Sequence, residues 1–404
     1  MTKHILIFLS LFFTSCSYMN ALPSLPDFGF NNNKVEEYGD MGIKLLWSTD
    51  IGQERSFKTG TLQPAFSNNH SYTIDSEGLI TSIDLSSGKI KWIHDLDLKV
   101  SSGLAFHNDM LFFGTNDGKY YGYKIDKLSS SYGFLDKIDI TALFQKSSIK
   151  ADLLVQLPSE VSSPGLGIDN LIFVKLDDGS TVAINIENSK IEWNYKGRNV
   201  SLSMKGSGSI VNLNSNLFIA RDDGNLISLK KNTGKLNWLI SISPRSGRNE
   251  LESLRDIEMV PLIKDGAIFI GSFQGNLVSI DAFNGNLIWS KPMSVLSNIA
   301  IDMDNVYVAD SKGYIFSLDR FSGFTKWKLK LENNLIGTQT FSYNKYIINI
   351  STKGHVMVID KTQGKILSLS KVVDDIDNQA KGVLTDKILY IASKNGRLNA
   401  IKID

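Results

Sequence analysis

One cysteine in 404 residues, Cys16, excludes a disulfide within the chain and any cluster of thiolate metal ligands. The 5 histidines, at positions 4, 70, 94, 107 and 355, are scattered, and none pairs with another at metal-ligand spacing. No Gly-x-Ser-x-Gly elbow, no phosphate-cradling Walker loop and no His-Glu-x-x-His is present. No run of clustered Asp, Glu and Asn reads as a calcium loop. Neither sign of charge dominates, at 43 basic against 42 acidic residues, so no long-range field for nucleic acid exists. These absences leave no catalytic residue, metal or cofactor to expect, and hydrolase or oxidoreductase chemistry has no support. Proline is also scarce, at 8, while glycine reaches 32. That balance, with abundant Ile, Leu, Ser and Asn, suits many short strands joined by turns.

The N-terminus carries Lys3 and His4, then the apolar run Ile5 to Phe13, then Thr14-Ser15-Cys16. The apolar run is too short to span a bilayer, which needs about 20 residues. A basic start, a short apolar core and small residues before a cysteine read as a signal peptide over 1–15. Phe13-Thr14-Ser15-Cys16 resembles a bacterial lipobox, with Phe13 in place of the usual leucine. Cleavage before Cys16 would free its thiol and amino group for acylation, and several acyl chains make a stable anchor. An ordinary secretory signal with an incidental cysteine is the alternative. Residue 17 is serine, not the aspartate that retains such lipoproteins at the inner membrane. The resemblance therefore implies the periplasmic face of an outer membrane. Residues 16–40, with Pro23, Pro26 and three consecutive asparagines, lack periodicity and read as a tether.

From residue 41 to 404 the chain repeats. A glycine is followed fourteen residues later by tryptophan at Gly78/Trp92, Gly179/Trp193, Gly224/Trp238, Gly275/Trp289 and Gly313/Trp327. A second glycine stands ten residues after the first at Gly88, Gly234, Gly285, Gly323 and Gly364. An aspartate stands six after it at Asp84, Asp281, Asp319 and Asp360, where it reads as a turn cap. The tryptophans read as wedges between neighbouring units. Turn glycines from Gly78 to Gly396 mark eight units, and a period near 40 residues predicts four strands per unit. The first strand, Ile43 to Ser48, has Trp47 without the preceding glycine, while the last unit has Gly396 without a tryptophan. Joined, they complete one unit. The expectation is an all-β, eight-bladed propeller of four-stranded antiparallel blades, closed by pairing the N-terminal strand with the last blade. The second unit is degenerate, with Tyr132 where a tryptophan is expected and about twenty extra residues following.

The Asp, Gly and Trp spacing resembles the quinoprotein-type repeat, found in quinone-dependent alcohol dehydrogenases and in the BamB family of outer-membrane assembly lipoproteins. Two loop segments favour the latter. Residues 199–209, Asn-Val-Ser-Leu-Ser-Met-Lys-Gly-Ser-Gly-Ser, are similar to that family's Ser-Leu-Ser-Leu-Arg-Gly-Glu-Ser segment. Residues 251–261 are similar to its Arg-Leu-Ser-Asp-Val-Asp-Thr-Thr-Pro segment. In that family these loops contact a periplasmic POTRA domain of the barrel-inserting protein BamA. The resemblance implies Leu202 and Met204 as apolar anchors, Lys205 as the cation, and Asp256 and Glu258 as the acidic pair. Unfolded outer-membrane clients are a further implied partner. On the residues alone, Leu202 and Met204 alternate with Ser201 and Ser203, which also fits an innermost strand. Two other functions remain open: a quinone-dependent dehydrogenase, and a periplasmic propeller serving another partner such as a cell-wall component.

Overall fold

The computed structural model describes residues 42–51, 62–130, 149–161, 163–197, 210–242, 257, 259–295, 298–332, 335–377 and 380–404. Cys16, the 1–15 signal, the 16–40 tether, Leu202, Met204, Lys205, Asp256 and Glu258 lie outside them. The described residues form eight four-stranded antiparallel sheets. They are numbered here as blades 1 to 8: residues 65–95, 105–156, 166–195, 210–241, 262–292, 300–330, 337–371 and 383–403, the last completed by 43–50.

Blade 6 shows how sequence becomes blade. Its strands are Ala300–Ile301, Asn305–Ala309, Tyr314–Asp319 and Thr325–Lys330, from the innermost outward. The second strand, Asn-Val-Tyr-Val-Ala, is buried at four consecutive positions, because both faces of a middle strand press on a neighbouring blade. The outermost strand, Thr-Lys-Trp-Lys-Leu-Lys, alternates between exposed and half-buried positions, since only one edge of the blade meets water. Apolar clusters fill the spaces between blades. One runs from Phe218 and Leu226 of blade 4 through Ile268 and Val278 of blade 5 to Val306 and Leu318 of blade 6.

The ring closes as the split repeat requires. Ile43–Asp50 pairs antiparallel with Arg397–Ile403, from Ile43 opposite Ile403 to Asp50 opposite Arg397. The Ser48 hydroxyl donates to Asn399 Oδ1 at 2.8 Å, and the Asn399 amide donates in turn to the Ile391 carbonyl at 3.2 Å. Closure gives the eighth blade its fourth strand, so that every blade among the described residues has four.

The repeat residues have a common task. Each of five tryptophans donates its indole N–H to a backbone carbonyl in the next blade: Trp47 to Leu85, Trp193 to Lys231, Trp238 to Ala282, Trp289 to Arg320 and Trp327 to Lys361, over 2.8 to 3.3 Å. The second glycine of that next blade lies under the ring. A Cβ on Gly88, Gly234, Gly285, Gly323 or Gly364 would stand 2.4 to 2.8 Å from ring atoms of the docked tryptophan. Where no tryptophan arrives, the glycine is dispensable. Blade 2 sends none, and blade 3 carries Ser189 at that place, still at a φ of 58°. The aspartates cap the same turn, as in Asp281 Oδ1 accepting the N–H groups of Phe283 at 2.8 Å and Asn284 at 3.2 Å.

Blade 2 is a true four-stranded blade, but its outermost strand is Leu153–Gln156 rather than a strand near Tyr132, which lies outside the described residues. A six-residue helix, Ile125–Ser130, replaces the tight outer turn, and its buried Leu128 joins the cluster around Trp92. Blade 5 departs at its first turn: Gln274, not Gly275, takes positive φ, at 49°.

Candidate partner-binding face

Strand order gives the propeller two chemically different faces. One, the hairpin face, holds the turns between first and second and between third and fourth strands of each blade. The other, the connector face, holds the turns between second and third strands and the segments that pass from blade to blade. On the connector face Ile191–Tyr195 of blade 3 ends and Ile210–Leu213 of blade 4 begins, and Leu236–Ser241 of blade 4 ends and Leu262–Lys264 of blade 5 begins.

The described residues of blades 3 and 4 hold a pair of buried cations at this face. Lys175 closes the second strand of blade 3, and its side chain, 5% exposed, meets Asp222 of blade 4 at 2.5 Å. Arg221 of blade 4, 7% exposed, pairs with Asp223 at 3.2 Å and donates to the Gly179 carbonyl of blade 3 at 3.3 Å. Burying a cation is tolerated only when its charge is met by a partner, and here each clasp also spans the junction of two blades. Downstream, Ile257 and Met259 are fully buried in the blade 4–6 cluster. The Gly271 N–H donates to Met259 Sδ at 2.9 Å, and the Val260 N–H donates to Asn298 Oδ1 at 3.3 Å. The chain on each side of Glu258 is therefore pinned by side chains that face the core.

No motif marks these clasps, yet a signal exists in the repeats. Three residues before the first turn glycine, most blades carry a small polar cap: Asp75, Thr115, Ser272, Asp310, Ser351 and Ser393. Asp75 and Asp310 each accept two backbone N–H groups of their turns. Blades 3 and 4 alone replace the cap, by Leu176 and Arg221. Asp178 and Asp223 take over, accepting the N–H groups of Ser180 at 2.9 Å and Asn225 at 3.2 Å. Both substitutions flank the 198–209 segment.

On the hairpin face a cleft of about 750 Å³ opens between blades 8 and 1, lined by Asn68, His70, Asp84, Lys91, Asp386 and Tyr390. Its Asp84 carboxylate is held well below the usual range by the Ser86 and Ser87 hydroxyls, the Ser87 N–H and Lys91. Those partners are all within its own hairpin, so the group is a turn cap and not a poised acid. Among the described residues, no three His, Cys, Asp or Glu side chains are grouped to hold a metal, and no helix is long and apolar enough to cross a membrane.

An eight-bladed ring of quinoprotein-type repeats, clasped by tryptophan on glycine and closed by its own N-terminal strand, defines the class. The family model described as "Outer membrane protein assembly factor BamB" matches residues 43–150 and 153–329. The chain belongs to that family. Relatives named outer membrane protein assembly factor BamB include one from Yersinia pestis, 24% identical over 88% of this chain and 88% of its own. Another, from Escherichia coli strain K12, is 22% identical over 88% of each chain. Among solved structures, BamB from Moraxella catarrhalis superposes with a TM-score of 0.74 at 18% identity, covering 89% of this chain and 99% of that one. A quinohemoprotein alcohol dehydrogenase from Comamonas testosteroni superposes at 0.62 and 11% identity, over 90% of this chain and 77% of the enzyme, and shares the fold alone. The chain stands with the assembly factors and not with the dehydrogenases.

Proposed function

We propose that this protein is a non-enzymatic scaffold lipoprotein of the outer-membrane barrel-assembly machinery. It is anchored through acylated Cys16 on the periplasmic face of the outer membrane. Its partner is a POTRA domain of a BamA-type protein, held by the segments 199–209 and 251–261, and its role is to assist insertion of outer-membrane proteins. Leu202 and Met204 supply apolar contact, Lys205 a cation, and Asp256 and Glu258 the opposing charges. An apolar centre ringed by charges of both signs suits a partner-binding hot spot.

The observation that carries this reading is the family match over residues 43–150 and 153–329. The cross-blade clasps Lys175–Asp222 and Arg221–Gly179 support it, because a binding loop holds its shape best on a rigid base.

Co-purification from detergent extracts tests the proposal. The wild-type protein is expected to retain the BamA-type protein, and a Leu202→Asp, Asp256→Lys, Glu258→Lys variant with an unchanged melting curve is expected to lose it. Equal retention by the variant would show that the surface is wrongly assigned. No retention by the wild type would defeat the scaffold role itself.

A further inference from the structure

The turn between third and fourth strands is written six times in this chain, and its chemistry changes in two adjacent blades. Two residues after the strand-ending position, blades 1, 3, 4 and 7 carry Ser86, Glu187, Asn232 and Thr362. At the position that follows the turn glycine, or Ser189 in blade 3, the same blades carry Lys89, Lys190, Lys235 and Lys365. Blade 5 has Phe283 and Asn286 at these places, and blade 6 has Phe321 and Phe324. The backbone turn is the same in all, so the polar residues suffice for folding and the phenylalanines are not structural. They also face water: Phe283 is 65% exposed, Phe321 62% and Phe324 76%, and Met303 in the neighbouring turn of blade 6 is 74% exposed.

The four side chains stand on turns of the adjacent blades 5 and 6, all on the hairpin face. The Phe283 ring lies against Gly266, next to Asp265. Asp265 pairs with Arg320 of blade 6 at 2.7 Å, and the Arg320 guanidinium stacks on the Phe321 ring at 4.5 Å. The Arg320 N–H donates to the Asp304 carbonyl at 3.0 Å, beside Met303. Lysines border the patch on both sides: exposed Lys230 and Lys235 on blade 4, and exposed Lys345 and Lys365 on blade 7. Most of the carboxylates within it are engaged, Asp265 by Arg320, Asp302 by Lys361, and Asp281 and Asp319 as caps of their turns. Asp304 is the exposed acidic exception.

The direction of the chain supplies the occupant. The N-terminal strand starts on the hairpin face, where the Gly42 carbonyl accepts the N–H of Asp404 at 3.1 Å. The described chain therefore begins, at Gly42, on the face that bears the phenylalanines. We propose that this patch is a second membrane contact, in which Phe283, Phe321, Phe324 and Met303 enter the interface of an anionic bilayer and the bordering lysines meet its headgroups. Aromatic and apolar side chains ringed by lysine suit the boundary between acyl chains and anionic headgroups, and one further contact converts a single-point tether into a defined orientation. The hairpin face then lies toward the lipid, and the connector face is left open to the periplasm for a protein partner. This rests on the Cys16 anchor reading given above for its direction.

The test uses the mature protein in vesicles of phosphatidylethanolamine and phosphatidylglycerol containing brominated lipid. A fluorophore is placed on Met303→Cys, and on Asn116→Cys of the opposite face as reference. Quenching at 303 is expected to exceed that at 116 by about threefold or more, as for a probe seated in the interface. It is expected to fall to the reference level in Phe283→Ser, Phe321→Ser, Phe324→Ser, whose residues are ordinary at these turns. Equal quenching at 303 and 116, or quenching untouched by the triple substitution, overturns the proposal. So does a probe at 303 that ignores lipid but responds to an unfolded outer-membrane protein, which would make a client the occupant. Failure to enter vesicles with an unacylated Cys16 sinks the anchor reading and this one together. Incorporation without quenching sinks this one alone. Retention of the BamA-type protein by the triple variant is expected to be unchanged, so loss of that function is read separately.

Discussion

Trp47 lies so close over Gly88 that a Cβ on the glycine would stand 2.4 Å from the indole ring. The contact joins the first strand of the chain to blade 1, and the same indole donates to the Leu85 carbonyl at 3.2 Å. The pair shows why two glycines per repeat recur for different reasons. The second is a receptor for the tryptophan of the blade before.

Substituting that receptor is expected to cost more than its own turn. Gly88→Ala combines a side chain at φ of 70° with overlap against Trp47. Together these are expected to destabilise by about 2–4 kcal/mol. Ser189→Gly, at the one such turn that receives no tryptophan, is expected to change stability by less than about 1 kcal/mol. Urea unfolding of both variants checks the contrast, and equal effects would refute the receptor role.

The tryptophan can be divided into ring and hydrogen bond. Trp327→Phe keeps most of the packing but loses the 2.8 Å bond to the Lys361 carbonyl, for an expected cost of about 1 kcal/mol. Trp327→Ala also opens space between blades 6 and 7, with an expected cost of about 3–5 kcal/mol. Thermal melts monitored by circular dichroism distinguish the two.

Acid sensitivity is expected at the junction of blades 6 and 7. Burial alone would raise the Asp302 carboxyl, but the Tyr307 hydroxyl at 2.8 Å, the Asp304 and Asn305 N–H groups and Lys361 at 3.3 Å outweigh it and hold the group below its ordinary value. Burial and the Asp302 charge push the Tyr307 hydroxyl up in turn. A folded-state pKa below the unfolded one means that the stabilisation is present above about pH 4 and is lost as pH falls through the folded value. Asp302→Asn is expected to melt lower at pH 7 and to depend less on pH below about 4. Melting curves from pH 7 to 3 provide the check.

The fold was legible because each repeat residue performs a local task that spacing reveals: Asp84 caps, Gly88 turns, Trp47 packs. Even the split of one blade between Ile43–Asp50 and Arg397–Ile403 could be read, since each fragment lacked what the other held. The partner of each tryptophan was not legible, because Trp327 and Gly364 belong to different blades and only the ring brings them together. Blade 2 misled for a related reason: with helix Ile125–Ser130 in place of the outer turn, the fixed interval no longer locates the outermost strand. The buried pairs Lys175–Asp222 and Arg221–Asp223 were missed because single charges carry no period. They stand out only when the eight turns are compared position by position. The exposed phenylalanines of blades 5 and 6 emerge from the same comparison.

The most direct measurement is calorimetric titration of the acyl-free mature chain, carrying Cys16→Ser, with the purified periplasmic region of the BamA-type protein from the same cell. Saturable binding is expected. It should weaken by about tenfold or more, the loss of one hot-spot contact, in each of Leu202→Asp and Asp256→Lys, and stay unchanged in Phe321→Ser on the hairpin face. Absence of binding by the wild-type chain, or loss of binding through Phe321→Ser while Leu202→Asp binds normally, would contradict the scaffold role assigned to the connector face.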